Sequence, residues 1–406
     1  MVNVVIVNDY AHVNGGAGQV ALASARGLAR RGHKVVLLCA VLPREPDFED
    51  PNLTVICTGQ HEILKDPSRL RAAAQGIWNP RAARAMDAVL DQLDRAGTVV
   101  HYHGWTKALS ASVVRAAARR QFALVTTLHD YFAACPNGGF FNYQTQAICH
   151  LKPLGLACIG THCDARNYGQ KLWRVARQVV QKNVGGFPGA IGNFVSLSDV
   201  SIAALRPSLP ASAPIHRIAN PTMVEQGAPV DVAANTRFAY VGRLAAEKGG
   251  LLFARAAQAQ AAAALFIGDG SERAAIQDAC PAATVTGWLD AGGVRAALAT
   301  ACALVLPSLW YEGQPLVVGD AAAMGIPAIV PDTCAAREAV IDGETGLWFK
   351  GADQVDLQRK IGLLQNDPAL ARRMGQAAYD RYWRAPPTLA RHLDALESLY
   401  RTILAQ

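Results

Sequence analysis

No stretch of this 406-residue sequence reaches some 18 uninterrupted apolar residues, which excludes a membrane-spanning helix. The opening segment MVNVVIVNDYAH confines its apolar character to Val2–Val7 and carries no basic flank, so no secretory signal is expected. Cysteine is sparse and odd in number: nine residues, with no Cys-x-x-Cys pair, fit reduced thiols better than a disulfide framework. No Asp-x-Asp occurs anywhere, and the first glycine turn lacks both the Gly-Lys-Ser/Thr ending of a P-loop and the GxGxxG spacing. There is no short-period repeat and no low-complexity tract. These absences point to a cytoplasmic globular protein.

About half the residues are hydrophobic (51%), enough for large buried cores, and the length suggests two or three domains. The formal charge of +7 favours acidic partners such as phosphates, nucleotides or an anionic membrane surface. The chain begins strand, glycine turn, helix and strand again: VNVVIVNDY, NGGAGQ, VALASARGLARRGH, KVVLLCA. That is the sequence form of a βαβ unit with a parallel sheet. Further strands are expected at 98–103, 123–129 and 190–198. The pattern restarts with RFAYVGRL (237–244), ALFIGDGSERAAIQDA with Ser271 as N-cap, ALVLPSLWYEG and PAIVPD. Five prolines between 207 and 235 mark the boundary. The fold class expected is α/β, two Rossmann-like parallel-sheet domains facing across a cleft. They span 1–215, with a Cys-rich insert at 131–170, and 216–378; a last helix, 379–406, crosses back to the first domain.

Open parallel sheets bind ligands at the carboxyl ends of their strands. NGGAGQV (14–20) opens a helix there and suits an anion, although a plain tight turn is equally consistent with it. In VGRLAAEKGG (241–250), Arg243 and Lys248 put two cations at one sheet edge, suited to two phosphates. In YEGQPLVVGDAAAMGIP (311–327), Glu312 follows a strand and Pro315 fits the first position of a helix. The amides of Leu316 and Val317 are then free for a phosphate. Glu312 and Asp320 become carboxylates able to accept hydrogen bonds from the adjacent hydroxyls of a sugar or ribose.

These segments, together with TTLHD, IGDGSERA and EAVIDGETGLWF, resemble in order the retaining glycosyltransferases of family 4, which have the GT-B fold. The resemblance implies that Glu312 contacts donor-sugar hydroxyls and that Asp320, the second acid of an E-x7-E motif, holds the ribose. It implies that Arg243 and Lys248 neutralise the diphosphate, and that Gly16 and Ala17 form the glycine loop near the donor phosphates. His129 becomes the histidine at the reaction centre. Residues 285–290, including Trp288, read the base. Gly242, Gly268, Gly313, Gln314, Pro315, Leu316 and Val317 complete the donor site, and Asp130 and Asn137 lie on the acceptor side. The chain departs from the pattern in having aspartate at 320, about 1.5 Å shorter in reach than glutamate. The donor expected is a UDP- or GDP-type nucleotide sugar. The acceptor is a saccharide or lipid-linked group, in polysaccharide or glycoconjugate synthesis, with no nucleic acid and no catalytic divalent metal. A non-catalytic nucleotide-sugar-binding homologue and a same-fold 2-epimerase are the alternatives.

Cys135, Cys149, Cys158 and Cys163 crowd one segment, where a structural zinc and free buried thiols are both open. QKLWRVARQVVQK (170–182) sets Leu172, Val175 and Val179 at helical spacing with Trp173 beside them. Such a helix packs on the core or lies peripherally on an anionic inner membrane face.

Overall fold

The computed structural model describes residues 1–44 and 48–406. It divides into two compact units, Met1–Gly139 with Leu151–Pro221 and Pro387–Gln406, and Phe140–His150 with Thr222–Pro386.

The first unit is built on a seven-stranded sheet whose paired strands all run parallel. Across the sheet the strands lie Leu53–Cys57, Lys34–Cys39, Asn3–Asn8, Thr98–Gly104, Ala123–Thr127, Asn193–Ser196 and Ile215–Arg217. The order reverses between Asn3–Asn8 and Thr98–Gly104, and the carboxyl ends there form the switch point where such sheets bind ligands. Five of the six residues of Asn3–Asn8 are buried, as expected of a strand covered on both faces. The strands Leu53–Cys57 and Ile215–Arg217 were not anticipated from sequence. Both are short edge strands whose sequences alternate or carry charge, so neither shows the unbroken apolar run of a central strand.

The helix Gly16–Arg30 is rich in small residues, and the last helix, Leu389–Leu404, packs along it. A Cβ on Gly27 would lie 2.5 Å from Leu393 Cδ1, so glycine allows this close approach. Leu393, Leu396, Leu399 and Tyr400 enter the same core as Val4, Ile6 and Val99, each aliphatic burial contributing about 1.5–3 kcal/mol. Polar stitches fix the register. Arg31 Nη1 reaches Asp394 at 2.7 Å and Glu397 at 3.2 Å, and Ser24 Oγ meets His392 Nε2 at 3.0 Å.

The second unit repeats the design with six strands in the order Thr284–Val285, Ala263–Ile267, Arg237–Val241, Ala301–Val305, Ala328–Pro331 and Gly346–Phe349. Phe238, Phe253 and Phe266 sit in its core. Its switch point lies between Arg237–Val241 and Ala301–Val305. The helix Pro368–Arg384 packs on the helix Leu316–Ala323, with Trp383 Nε1 donating to Ala323 O at 2.9 Å.

Three local expectations are corrected. Ser271 does not cap the helix Arg273–Ala279; Glu272 occupies that position without a side-chain bond. Pro315 is the N-cap rather than the first residue of the helix Leu316–Ala323, a one-residue shift. The helix Tyr168–Asn183 keeps only part of the apolar spacing: it buries Val175 together with Lys171, Arg177, Gln178 and Gln181, while Leu172 and Val179 are exposed. Arg177 and its neighbours satisfy loop carbonyls, with Gln178 and Gln181 both donating to Phe132 O, and that hydrogen bonding outweighs the periodicity.

Candidate active site

In the second unit, the turn after Arg237–Val241 runs through Gly242 to Arg243 and Lys248. Gly242 and Gly268 end neighbouring strands in close backbone approach: a Cβ on Gly268 would fall 2.0 Å from Gly242 O. Arg243, with its side chain 58% exposed, ion-pairs Glu247 at 2.5 Å. Lys248 Nζ donates to both oxygens of Glu312, at 2.8 and 3.0 Å, and lies 4.9 Å from the ring centroid of Trp310. Ser308 Oγ donates to Glu312 Oε1 at 2.5 Å. Burial pushes the Glu312 carboxyl up, but the Lys248 ammonium and the Lys248 and Ser308 hydrogen bonds more than offset it, leaving it below its usual range. Glu312 is buried and held at φ +50°, a left-handed conformation costing about 1–3 kcal/mol in a non-glycine residue. Glu312 is thus a buried, charged residue in a strained backbone conformation, in the loop between the strand Ala301–Val305 and the helix Leu316–Ala323.

Gly313, Gln314 and Pro315 follow, and the helix Leu316–Ala323 begins with no side-chain cap, so the amides of Leu316 and Val317 and the helix dipole are available to an anion. Asp320 lies on this helix. Burial lifts its carboxyl to about 6, with Arg295 drawing it back only partly. Trp288, 70% exposed, sits beside Gly287, which bridges Gly268.

In the first unit, Gly15 (φ +87°) caps the helix that opens with Gly16 and Ala17, again without a side-chain cap. Asp9, at the end of the first strand, accepts the amides of Lys107, Ala108 and Leu109 at 2.8–3.0 Å and so fixes the loop across the switch point. His129 and Asp130 follow Ala123–Thr127. His129 Nε2 lies 3.0 Å from His103 Nδ1, and the two rings stack at 5.2 Å. Burial, reinforced by His392, lowers His129 to about 3, so it is neutral at physiological pH. Burial likewise raises Asp130 to about 6 against the Phe132 amide, Lys107 and Arg177. Asn137 Nδ2 donates to Cys163 O at 2.8 Å and approaches its Sγ at 3.6 Å.

No disulfide links the nine cysteines. Cys158 and Cys163 converge on an ammonium: buried Lys171 Nζ lies 3.5 and 3.2 Å from their sulfurs. Among the described residues no three His, Cys, Asp or Glu side chains stand as a metal-ligating group. The side chains as placed therefore do not fit the zinc expectation for Cys135, Cys149, Cys158 and Cys163.

His101, His103, Glu247 and Ser308 were missed from sequence. The first two were readable: in HYH, at the end of an apolar strand, residues two apart share a face, and the rings lie 4.3 Å apart. Ser308 and Glu247 carry no signal until the fold brings them to Glu312 and Arg243.

Among the described residues no helix is long and apolar enough to cross a membrane. A family model described as Glycosyltransferase Family 4 matches residues 14–154, and one described as Glycosyl transferases group 1 matches 235–367. A glycogen synthase of Mycobacterium tuberculosis is 39% identical over 95 residues, 23% of each chain. A GDP-mannose-dependent alpha-mannosyltransferase of Mycolicibacterium smegmatis is 35% identical over 108 residues, 27% of this chain and 28% of that protein. The matched stretches thus span about a quarter of these relatives' length. Among solved structures, the sucrose-phosphate synthase of Thermosynechococcus elongatus superposes with a TM-score of 0.73 at 19% identity, covering 100% of both chains. Anabaena Alr3699/HepE in complex with UDP and glucose does so with 0.63 at 14%, covering 99% of this chain and 100% of that one. With two parallel-sheet α/β units, that fold match and a family model in each half, the chain belongs to the group 1, family 4 type glycosyltransferases of the GT-B fold.

Proposed function

We propose that the protein transfers a sugar from a nucleotide-sugar donor to a saccharide or lipid-linked acceptor with retention of anomeric configuration. The observation that carries this reading is the half-buried Lys248–Glu312 pair, strained at Glu312 and set at the switch point beside Arg243. In the resting state the two charges neutralise each other. When a donor binds, the ammonium turns to the diphosphate and Glu312 accepts hydrogen bonds from sugar hydroxyls, so each replaces the other with a substrate group. Arg243 and the amides of Leu316 and Val317 share the charge that grows on the departing diphosphate; catalysis of this kind rests on electrostatic stabilisation and positioning. Asp320 accepts the ribose hydroxyls, directly or through a water. Gly242, Gly268, Gly313, Gln314, Pro315 and Trp288 shape the nucleotide side. Of the first unit's residues, Gly16, Ala17 and His129 are the candidates for contact with donor phosphate and sugar, and Asp130 and Asn137 for contact with the acceptor.

The names of relatives and neighbours include UDP with glucose and GDP-mannose dependence, which supports a UDP or GDP donor. Screening UDP-, GDP- and ADP-sugars for thermal stabilisation identifies it; a ligand at 100 times its Kd adds about 2.7 kcal/mol. Transfer with the stabilising donor should then fall by orders of magnitude in Glu312→Ala while the fold persists. Near-wild-type turnover in that variant overturns the assignment. Donor binding without transfer or hydrolysis in the unmodified protein supports the non-catalytic alternative instead.

A further inference from the structure

Two histidines stand on one face of the strand Thr98–Gly104, and their surroundings differ. His101 is saturated: Nδ1 meets Tyr400 OH at 2.6 Å and Nε2 meets Thr127 Oγ1 at 2.8 Å. His103 is not. Its Nδ1 lies 3.0 Å from His129 Nε2, but its Nε2 is buried without a hydrogen-bond partner. A buried orphan nitrogen costs about 1–3 kcal/mol unless a water satisfies it. The His103 ring lines a small cavity of about 20 Å³, enough for one water, whose walls include Thr126, Thr127, Leu128 and Asp130. Thr127 Oγ1 is already engaged by His101, and Thr126 Oγ1 donates to Tyr102 O. The Asp130 carboxylate, with one oxygen accepting the Phe132 amide at 3.0 Å, is the strongest acceptor on that wall.

We propose that His103 is a positioning residue, the middle of a relay Asp130–water–His103–His129 that fixes the tautomer of His129. A neutral imidazole has one N–H. With Asp130 ionised, a water that donates to it accepts from His103 Nε2–H. His103 Nδ1 is then a lone pair and accepts His129 Nε2–H. That leaves His129 Nδ1 unprotonated, with its lone pair as the free face of the ring's hydrogen-bonding chemistry. On the glycosyltransferase reading above, on which this inference rests, His129 therefore presents an acceptor to a donor-sugar hydroxyl, not a donor. Burial holds both rings neutral, His103 well below the usual histidine range. The charged and titratable groups acting on the relay are His101 and His392 on the histidines, and Lys107, Arg177 and Asp9 on Asp130. When Asp130 is protonated it becomes a donor to the water, the relay reverses, and His129 carries its proton on Nδ1.

The test uses the full chain labelled with ¹⁵N-histidine, with His129→Gln to assign the signals. At pH 8 His129 should show a protonated Nε2 and a bare Nδ1. His103→Phe keeps a ring but loses the acceptor, and kcat should fall about 10- to 100-fold with donor KM changed less than about threefold. His103→Asn returns an amide oxygen near the Nδ1 position and should recover most of that loss. In Asp130→Asn the acid limb of kcat near pH 6, read at saturating donor, should vanish. A wild-type enzyme that transfers sugar with His129 protonated on Nδ1, or a folded His103→Phe variant with wild-type kcat, overturns the relay alone. If His103→Phe does not fold, the wild-type spectrum and His103→Asn decide. A wild type without transfer sinks the glycosyltransferase reading, while the tautomer is still read by the spectrum.

Discussion

Replacing Asp320 with asparagine should make the protein more stable and a poorer binder of nucleotide. Burial lifts the Asp320 carboxyl from 3.8 to about 6, a shift near two units, or ~3 kcal/mol at 1.36 kcal/mol per unit. Because the folded pKa is the higher one, the stability tied to this group is present only below about 3.8 and is lost as pH rises through 6. At pH 7.5 the ionised carboxylate costs the folded state up to that amount. Asparagine keeps the shape and removes the charge, so Asp320→Asn should melt higher by about 4–10 °C at pH 7.5, with the gain shrinking towards pH 4. The same change removes the charged acceptor proposed for the ribose, whose hydrogen bonds contribute about 1.5–3 kcal/mol, so nucleotide affinity should fall about 10- to 100-fold. Thermal melts at both pH values, with and without nucleotide, and calorimetric titration read both effects. In wild type, affinity should also weaken as pH falls below 6; in the variant it should not. An Asp320→Asn protein that melts lower at pH 7.5, or that binds nucleotide as wild type does, refutes the reasoning.

Lys248→Ala strips Glu312 of its counter-charge, so transfer should drop by orders of magnitude and a melt should show a loss of about 1–3 kcal/mol at neutral pH. Gly268→Ala drives a methyl into Gly242 O and should cost about 3 kcal/mol or more, seen as a lowered denaturant midpoint with an unchanged slope. Tyr400→Phe leaves His101 Nδ1 without its 2.6 Å partner and should cost about 1–3 kcal/mol by the same assay. Leu393→Ala should cost about 2–5 kcal/mol, and a silent substitution there would contradict the packing of the last helix on Gly27.

The sheets were legible because central parallel strands are unbroken apolar runs between glycine turns and Ala-rich helices. The edge strands Leu53–Cys57 and Ile215–Arg217 were not, since a strand with one neighbour needs no such run. Glu312, Arg243 and Lys248 were readable from their positions at strand ends. Their pairing was not: Lys248 meets Glu312 rather than standing free, because residues 64 apart in sequence are joined only by the crossover of the sheet. The helix Tyr168–Asn183 shows the limit of periodicity. Its buried face is set by carbonyls that need donors, and a hydrophobic pattern cannot register those. The cysteine cluster shows the limit of proximity in sequence, since Cys158 and Cys163 gather around Lys171, a residue the cysteine spacing does not include.

The helix Leu389–Leu404 also orders events during synthesis. Leu393, Leu396, Leu399 and Tyr400 belong to the core that Val4, Ile6 and Val99 begin, yet the ribosome makes them only after the whole of Thr222–Pro386. The nascent first unit must therefore wait with its Gly16–Arg30 face bare and His101 lacking the Tyr400 hydroxyl, while the later-made second unit has its full chain and is free to fold ahead of it. The first unit to be translated is the last to be finished, and its waiting apolar face is where a chaperone, or a misplaced neighbour, would take hold.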